Sequence, residues 1–178
     1  MTKKDNFIFQ FIHVMTWIIF IGLCIEAGAL LVNFIYSLFK PDIIDKLYNK
    51  LYLRQMYDLN KWAYYSVYSL AIVIAVMKVA LFYVAIQLFL KFNINQPFSS
   101  FVENKIKLMS HYAFWIGIVS YIAKETAENL NKQGFEINKL NDYWSDSHAF
   151  IMMSAILYLI ALIFKKGNDL QKENDLTI

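Results

Sequence analysis

Long apolar stretches, separated by short polar segments, dominate the chain. The first begins at Phe7 and runs to about Leu38, which at roughly 1.5 Å per residue is longer than a bilayer core is thick. Three more stretches cover about residues 65–90, 106–130 and 147–164. A helix needs roughly 20 mainly apolar residues to cross a membrane, so the pattern predicts four transmembrane helices.

The segment after the first stretch has a different pattern. Pro41 can begin a helix, and apolar and charged residues then recur at helical spacing as far as Gln55. This predicts an amphipathic helix that lies at the membrane surface. Four aromatic residues follow and are typical of a belt at the headgroup level: Trp62, Tyr64, Tyr65 and Tyr68.

Two further signals mark the ends of helices. Ser100 and Glu103 have the spacing of a capping box, which predicts the start of the third transmembrane helix. Gly167 follows the basic pair Lys165 and Lys166, and this order predicts the end of the fourth helix. Residues 165–178 form the predicted cytoplasmic tail, and its segment from Asn168 to Ile178 has charges of both signs and little apolar area. We therefore expect this segment to be an exposed peptide that is available to a partner.

Composition supports a membrane protein. The chain is 58% hydrophobic and 17% charged, whereas soluble domains are roughly 45–50% apolar and about a quarter charged. The length of 178 residues is suited to one domain. Four spans of about 20 residues use nearly half of it, so no separate soluble domain fits. We therefore predict a single all-α membrane domain over residues 1–178: a polytopic four-transmembrane-helix bundle with a surface amphipathic helix between helices one and two.

Charge gives only a weak preference for one orientation in the membrane. Four spans place both termini on one side, and lysine and arginine are almost equally divided between the two sides. Lys165 and Lys166, directly after a helix, and a net acidic third connection favour cytoplasmic termini. The net charge of +3 is spread over tails and loops, which argues against direct binding of nucleic acid.

Several ionisable residues fall at membrane depth, where such residues are costly and often functional. Counted along the helices from the predicted cytoplasmic face, most of them lie at a common depth of roughly 20–25 Å. The predicted buried polar layer consists of Glu26, Lys78, Lys124, Glu125 and His148.

The spacing of small residues predicts how this layer is arranged. Glu26 and Lys78 each share a helical face with small residues, and such faces are where membrane helices approach closely. We expect the two side chains to form a buried ion pair between antiparallel neighbours. Two interpretations remain open. Either the pair is structural and Lys124, Glu125 and His148 reach the outer interface, or the layer is a ligand or ion site.

Motifs for catalysis or cofactor binding are absent from the sequence. His13 and His111 are candidate haem ligands by position alone, and His148 with Asp142 and Asp146 fits no standard metal spacing. The chain has no Gly-rich phosphate loop, HExxH helix or GxSxG elbow. We expect no cofactor, no metal ion and no catalytic residue, and hence a protein that is not an enzyme.

Two segments stand out as a pair of signatures. The first, in the middle connection, is Gln96, Pro97, Phe98 and Ser99. The second is the tail from Phe164 to Ile178, which contains Gly167, Glu173, Asp175, Leu176 and Thr177. Together they resemble a bacterial family of four-helix membrane proteins, domain of unknown function 2975 (DUF2975). The resemblance implies a bacterial inner-membrane protein that works beside a small helix-turn-helix regulator. It implies no catalytic residues.

Two functional hypotheses follow from different classes. The first is a non-enzymatic sensing or signalling module that binds a protein regulator at its cytoplasmic face, through the tail or the middle connection. The second is a small transporter or channel-like protein that uses the polar layer as its pathway. Four helices enclose only a narrow lumen, so this alternative favours a homo-oligomer. In both, the lipid bilayer is the main partner.

Overall fold

The described part of the chain is helical throughout. The structure, a computed structural model, describes residues 3–40, 53–93, 97–135 and 140–175. Within these ranges there are six helices and no strand: α1 (Lys3–Phe39), α2 (Arg54–Leu59), α3 (Lys61–Lys91), α4 (Ser100–Lys132), α5 (Asn141–Trp144) and α6 (Ser147–Asp175). Four helical segments, which contain α1, α3, α4 and α6, are long and apolar enough to cross a membrane. The predicted all-α, multi-pass four-helix bundle is therefore confirmed.

The long helices pack in the order α1, α3, α4, α6. Helix α4 packs extensively against α3 and α6, whereas α1 packs mainly against α3. Gly117 permits the close approach of α4 and α6, because a Cβ at this position would lie 2.6 Å from Cγ1 of Ile151. We call the end of the bundle that carries Lys91 and Ser100 the α3–α4 end, and the end that carries Trp144 the α5 end.

The amphipathic surface helix predicted after Pro41 falls largely on residues 41–52, which lie outside the described residues. The segment that follows is described and packs onto the bundle. Leu53, Met56 and Tyr57 are buried, and the Tyr57 ring meets the ring of Tyr64 edge-on at 5.3 Å between centroids. Helix α2 thus anchors the end of the first connection to α3.

Side-chain caps fix where α3 and α4 begin. Asn60 Oδ1 accepts a hydrogen bond from the amide of Ala63 at 3.2 Å, and Ser99 Oγ accepts one from the amide of Val102 at 3.4 Å. The capping box predicted at Ser100 is therefore wrong by one residue. Ser99 has the extended backbone of an N-cap, with φ −122° and ψ 151°, while Ser100 is already helical.

The fourth transmembrane helix differs most from its prediction. Helix α6 does not end at Gly167 but continues to Asp175, so the predicted helix end is wrong. In the described part of the segment predicted to be exposed, Asn168 is buried, whereas most of the residues from Asp169 to Asn174 are exposed. Glycine at a helix end is used for its left-handed backbone, and the glycine in that conformation is Gly134, with φ 92°, just after α4. Gly167 instead lies inside α6 and makes room for a neighbouring ring.

Candidate functional site

Lys78 is half-buried on α3 and is held by the α5 end of the bundle. Its ammonium Nζ donates a hydrogen bond to the backbone carbonyl of Tyr143 at 3.2 Å and lies 5.6 Å from the centroid of the Phe150 ring. Glu26 and Asp146 are close enough to interact with it electrostatically. Within the described residues, however, Lys78 and Glu26 form no direct ion pair. The expected pair is corrected: the nearer acceptor is the carbonyl of Tyr143.

The other members of the predicted polar layer lie apart from Lys78. Lys124 Nζ is 3.8 Å from Glu128 Oε1 on its own helix, and both side chains are roughly half exposed. Glu125 and His148 are exposed, so the prediction that they are buried is wrong. The reason is the direction of each side chain around its helix: Ala123 on α4 and Ser147 on α6 face the core of the bundle, and each following residue is rotated by about 100°. Residues at a similar depth in the membrane therefore do not all face the interior of the bundle.

A buried tyrosine cluster was missed by the sequence analysis. Tyr64 and Tyr68, expected in an aromatic belt, are 0% and 1% exposed, whereas Trp62 is 85% exposed, as a belt residue would be. The rings of Tyr64 and Tyr68 are 5.5 Å apart, and Ser37 and Asn33 of α1 face their hydroxyl groups. The polar residues Asn33 and Ser37, spaced by four in an apolar helix, were the available signal.

The two segments that carry the family resemblance meet at the α3–α4 end. The Phe98 ring lies 5.4 Å from the ring of Phe164, centroid to centroid, and a Cβ on Gly167 would lie 2.5 Å from Cδ1 of Phe98. Asn168, only 7% exposed, donates a hydrogen bond from Nδ2 to Ser100 Oγ at 3.1 Å. We call these five residues the Phe98 junction.

The other residues of the two signatures are not part of the Phe98 junction. Pro97 and Ser99 flank Phe98 in the described chain, and Glu173 is exposed near the end of α6. Asp175 is the last residue of α6. Gln96, Leu176 and Thr177 lie outside the described residues.

An apolar cavity of 440 Å³ lies directly beside the Phe98 junction. All four long helices contribute to its wall, and all of its lining residues are apolar: Phe9, Leu88, Phe89, Phe92, Val102, Ile106, Met109, Leu157, Ile160 and Phe164. A second cavity of 260 Å³, also lined by apolar residues, shares Met109 and Leu157 with the first. The volume of the first cavity is in the range of small-molecule sites, roughly 300–1,000 Å³.

Two lysines stand over one ring next to this cavity. The ammonium groups of Lys91 and Lys105 are each 5.6 Å from the centroid of the Phe101 ring. Lys105 also donates a hydrogen bond to Oε1 of Gln87. Phe101 packs in the same apolar cluster as Val102, which lines the cavity. We call Lys91, Lys105 and Phe101 the Phe101 rim.

The histidines considered as haem ligands each have a partner on their own helix. Trp17 Nε1 donates a hydrogen bond to Nε2 of His13 at 3.1 Å. His111 Nδ1 lies 2.7 Å from the carbonyl oxygen of Lys107. In the described part of the chain, no group of three or more histidine, cysteine, aspartate or glutamate residues is placed to hold a metal ion. The cavity, the rim and the junction are therefore the strongest candidate site.

Comparison with known proteins adds no relative. No family model, no curated protein and no solved structure matches the chain. The resemblance to DUF2975 therefore stays a prediction, and function must be argued from the site itself.

Proposed function

We propose that this protein is a non-enzymatic membrane module that binds an apolar ligand between its helices and reports its presence to a protein partner. One observation carries the proposal: Phe164 lines the apolar cavity and its ring also packs against the ring of Phe98 in the Phe98 junction. A molecule that enters the cavity therefore touches a residue of the contact that holds the middle connection against α6.

The Phe98 junction is closely packed on the side that faces α6. Phe98 fits against the bare backbone of Gly167, and the neighbouring Asn168 is buried and hydrogen-bonded to Ser100. Closely packed contacts shift between discrete arrangements more readily than they deform. A ligand that binds one arrangement of Phe164 more tightly than another would shift the equilibrium between the two arrangements of the junction. The size of the shift is set by the difference between the ligand's affinities for them.

The end of α6 is the element that would present this change to a partner. Beyond Asn168 the helix is polar, and Asp169, Lys172 and Glu173 are exposed. We place this end in the cytoplasm of a bacterial cell, with both termini on the cytoplasmic side of the inner membrane, because Lys165 and Lys166 directly follow the apolar part of α6. The resemblance to DUF2975 implies a helix-turn-helix regulator as the partner.

Transport is the less favoured function. Lys78 is its natural starting point, since a half-buried ammonium at membrane depth is costly. Yet Lys78 is bonded to the carbonyl of Tyr143, and the two cavities that extend from it towards the α3–α4 end have apolar linings. The polar residues Ser110, His111 and Ser154 line a separate cleft between α4 and α6, away from Lys78. A pathway for ions or polar solutes requires polar groups along its length.

The test first identifies the genes beside the one for this chain, and then measures capture of the helix-turn-helix regulator that the proposal expects there by the full chain in lipid nanodiscs. Exchange of charges on the exposed end of α6, Asp169→Lys with Lys172→Glu, should weaken binding by about tenfold. The matched exchange at the α5 end, Glu128→Lys with Lys132→Glu, should leave binding unchanged.

A second pair of variants tests the role of the cavity. Ile160→Trp places a large ring in the cavity wall, whereas Ile156→Trp places the same ring on the exposed face of the same helix. Capture should change with Ile160→Trp and stay the same with Ile156→Trp. Equal capture by the parent chain and all four variants would refute the proposed function.

A further inference from the structure

The two ammonium groups of the Phe101 rim lack an anionic partner within the described residues. Lys91 and Lys105 stand over the same ring, and neither forms an ion pair with a described acidic side chain. A cation over an aromatic ring recovers only about 0.5–1 kcal/mol at an exposed site. An anion that contacts these ammonium groups would therefore add to their stabilisation.

Ordinary structural roles account for only part of this arrangement. Lys91 lies in the last turn of α3, where a cation interacts favourably with the helix dipole. Lys105 has no such role, because it lies near the beginning of α4, the end that favours negative charge. Its ammonium is instead directed towards α3 by the hydrogen bond to Gln87. The rim is therefore assembled from two helices by a specific polar contact.

The position of the rim matches the level of lipid headgroups. Lys91 is the final residue of the span Lys61–Lys91, and Phe101 is the second residue of the next span. Basic residues between transmembrane helices at this level bind the phosphate groups of anionic lipids, and lysine is a common phosphate ligand. The apolar cavity begins behind Phe101, on the membrane side of the rim.

A phospholipid joins these two features in one molecule. The cavity walls offer no polar group to a ligand, so the complementary occupant is a hydrocarbon chain, which the bilayer supplies. We infer that the Phe101 rim binds the phosphate of an anionic phospholipid while one acyl chain of the same lipid fills the apolar cavity. This inference rests on the proposed function, for which it names the class of ligand.

The experiment uses the full chain purified in a neutral detergent. Thermal stability is measured against increasing concentrations of dioleoyl-phosphatidylglycerol, dioleoyl-phosphatidylcholine or inorganic phosphate. Phosphatidylglycerol should bind about thirtyfold more tightly than phosphatidylcholine, because two lysines near an anionic surface contribute about 1 kcal/mol each. Inorganic phosphate should give no stabilisation, because it lacks the chain. Equal binding of the two lipids, or an equal effect of phosphate alone, would overturn the inference.

Matched variants separate the rim and the cavity from general charge effects. Lys91→Gln with Lys105→Gln should abolish the preference for phosphatidylglycerol, whereas the double change to arginine should retain it. Lys124→Gln with Lys132→Gln, at the α5 end, should leave it unchanged. Ile160→Trp should weaken the binding of both lipids relative to Ile156→Trp. Loss of the preference in the α5-end control, or its survival in the rim variant, would refute the site.

Failure of this inference can be distinguished from failure of the proposed function. Lipid binding is measured without a protein partner, and partner capture is measured without a change of lipid. If phosphatidylglycerol binds as expected while Ile160→Trp leaves capture unchanged, the sensing role is wrong and the lipid site stands. If capture responds to Ile160→Trp while the two lipids bind equally, the lipid assignment is wrong and the sensing role stands.

Discussion

The ring of Phe98 occupies the space that a side chain at position 167 would need. A Cβ built on Gly167 would lie 2.5 Å from Cδ1 and 2.8 Å from both Cε1 and Cγ of Phe98. The residues come from segments far apart in the chain, so their contact ties the start of α4 to the end of α6. Glycine is required here for close approach rather than for backbone freedom.

The first prediction tests this close approach with two glycines in helices. Gly167→Ala should destabilise the detergent-solubilised protein, because the added methyl group forces Phe98 to move, and overpacking typically costs about 1–3 kcal/mol. Gly22→Ala is the matched control, since a Cβ at Gly22 meets no atom within 4 Å and alanine favours the helix. Equal thermal stability of the two variants would show that the Phe98 ring is not fixed.

The second prediction concerns the hydrogen bond beside that contact. Asn168→Ala and Ser100→Ala should each lower the free energy of unfolding, and their effects should not add. A double-mutant cycle should give a coupling of about 0.5–1.5 kcal/mol, the usual value of a buried hydrogen bond. Thermal unfolding in detergent provides the measurement. Additive effects would mean that the bond between Nδ2 of Asn168 and Oγ of Ser100 contributes nothing.

The third prediction is that the end of α6 is structural as far as Asn168. A chain that ends at Gly167 should unfold at a lower temperature than the full chain, because it lacks the buried Asn168 side chain. A chain shortened only by residues 176–178 is the control and should keep its stability. Equal melting of the two truncated chains would mean that α6 beyond Gly167 makes no contribution to the fold.

The fourth prediction concerns Lys78. Lys78→Met removes the donor to the carbonyl of Tyr143, and the loss should be about 1.5–3 kcal/mol, the usual range for a hydrogen bond to a charged group. Glu26→Gln should cost less, because Glu26 acts on the ammonium only at a distance. A cycle of the two changes should give a coupling below about 1 kcal/mol. A clearly larger coupling would restore the direct ion pair.

The fifth prediction concerns topology. In a Cys24→Ser background, a single cysteine at Gln133 should react with a membrane-impermeant reagent in intact cells, and one at Asn174 should not. The four spans place these positions on opposite sides of the membrane, and the proposed orientation puts Asn174 inside. Labelling of Asn174 but not Gln133 would reverse the orientation without changing the fold.

The four spans were predictable because apolar length along the chain is a local property. Gly167 was not, because a glycine after Lys165 and Lys166 is equally compatible with a helix end and with a close helix contact. The choice depends on Phe98, which no local pattern connects to Gly167. The sequence therefore indicated that residues around 97–99 and 164–178 matter, but not that they meet.

The polar layer was mispredicted for a geometric reason. Depth follows from counting residues, and the counts placed Lys78, Lys124 and His148 at similar levels. Direction around a helix depends on the neighbouring helices: Ala123 faces the core, and the next residue, Lys124, is turned away from it and is partly exposed. Lys78 was correctly expected to face the bundle, but its acceptor is a backbone carbonyl, which has no signature in the sequence.

The peripheral position of α1 has a consequence for how a lipid chain reaches the cavity. Helix α1 packs mainly against α3, and the residue that it contributes to the cavity wall is Phe9, whose ring meets Phe89 at 5.4 Å. Because α1 lies at the edge of the bundle, a lipid chain would enter the cavity past Phe9 while α3, α4 and α6 stay packed. Phe9 would then affect the rate of lipid exchange. Phe9→Ala should speed both the entry and the release of a fluorescent phospholipid in a stopped-flow measurement, and unchanged rates would place the route elsewhere.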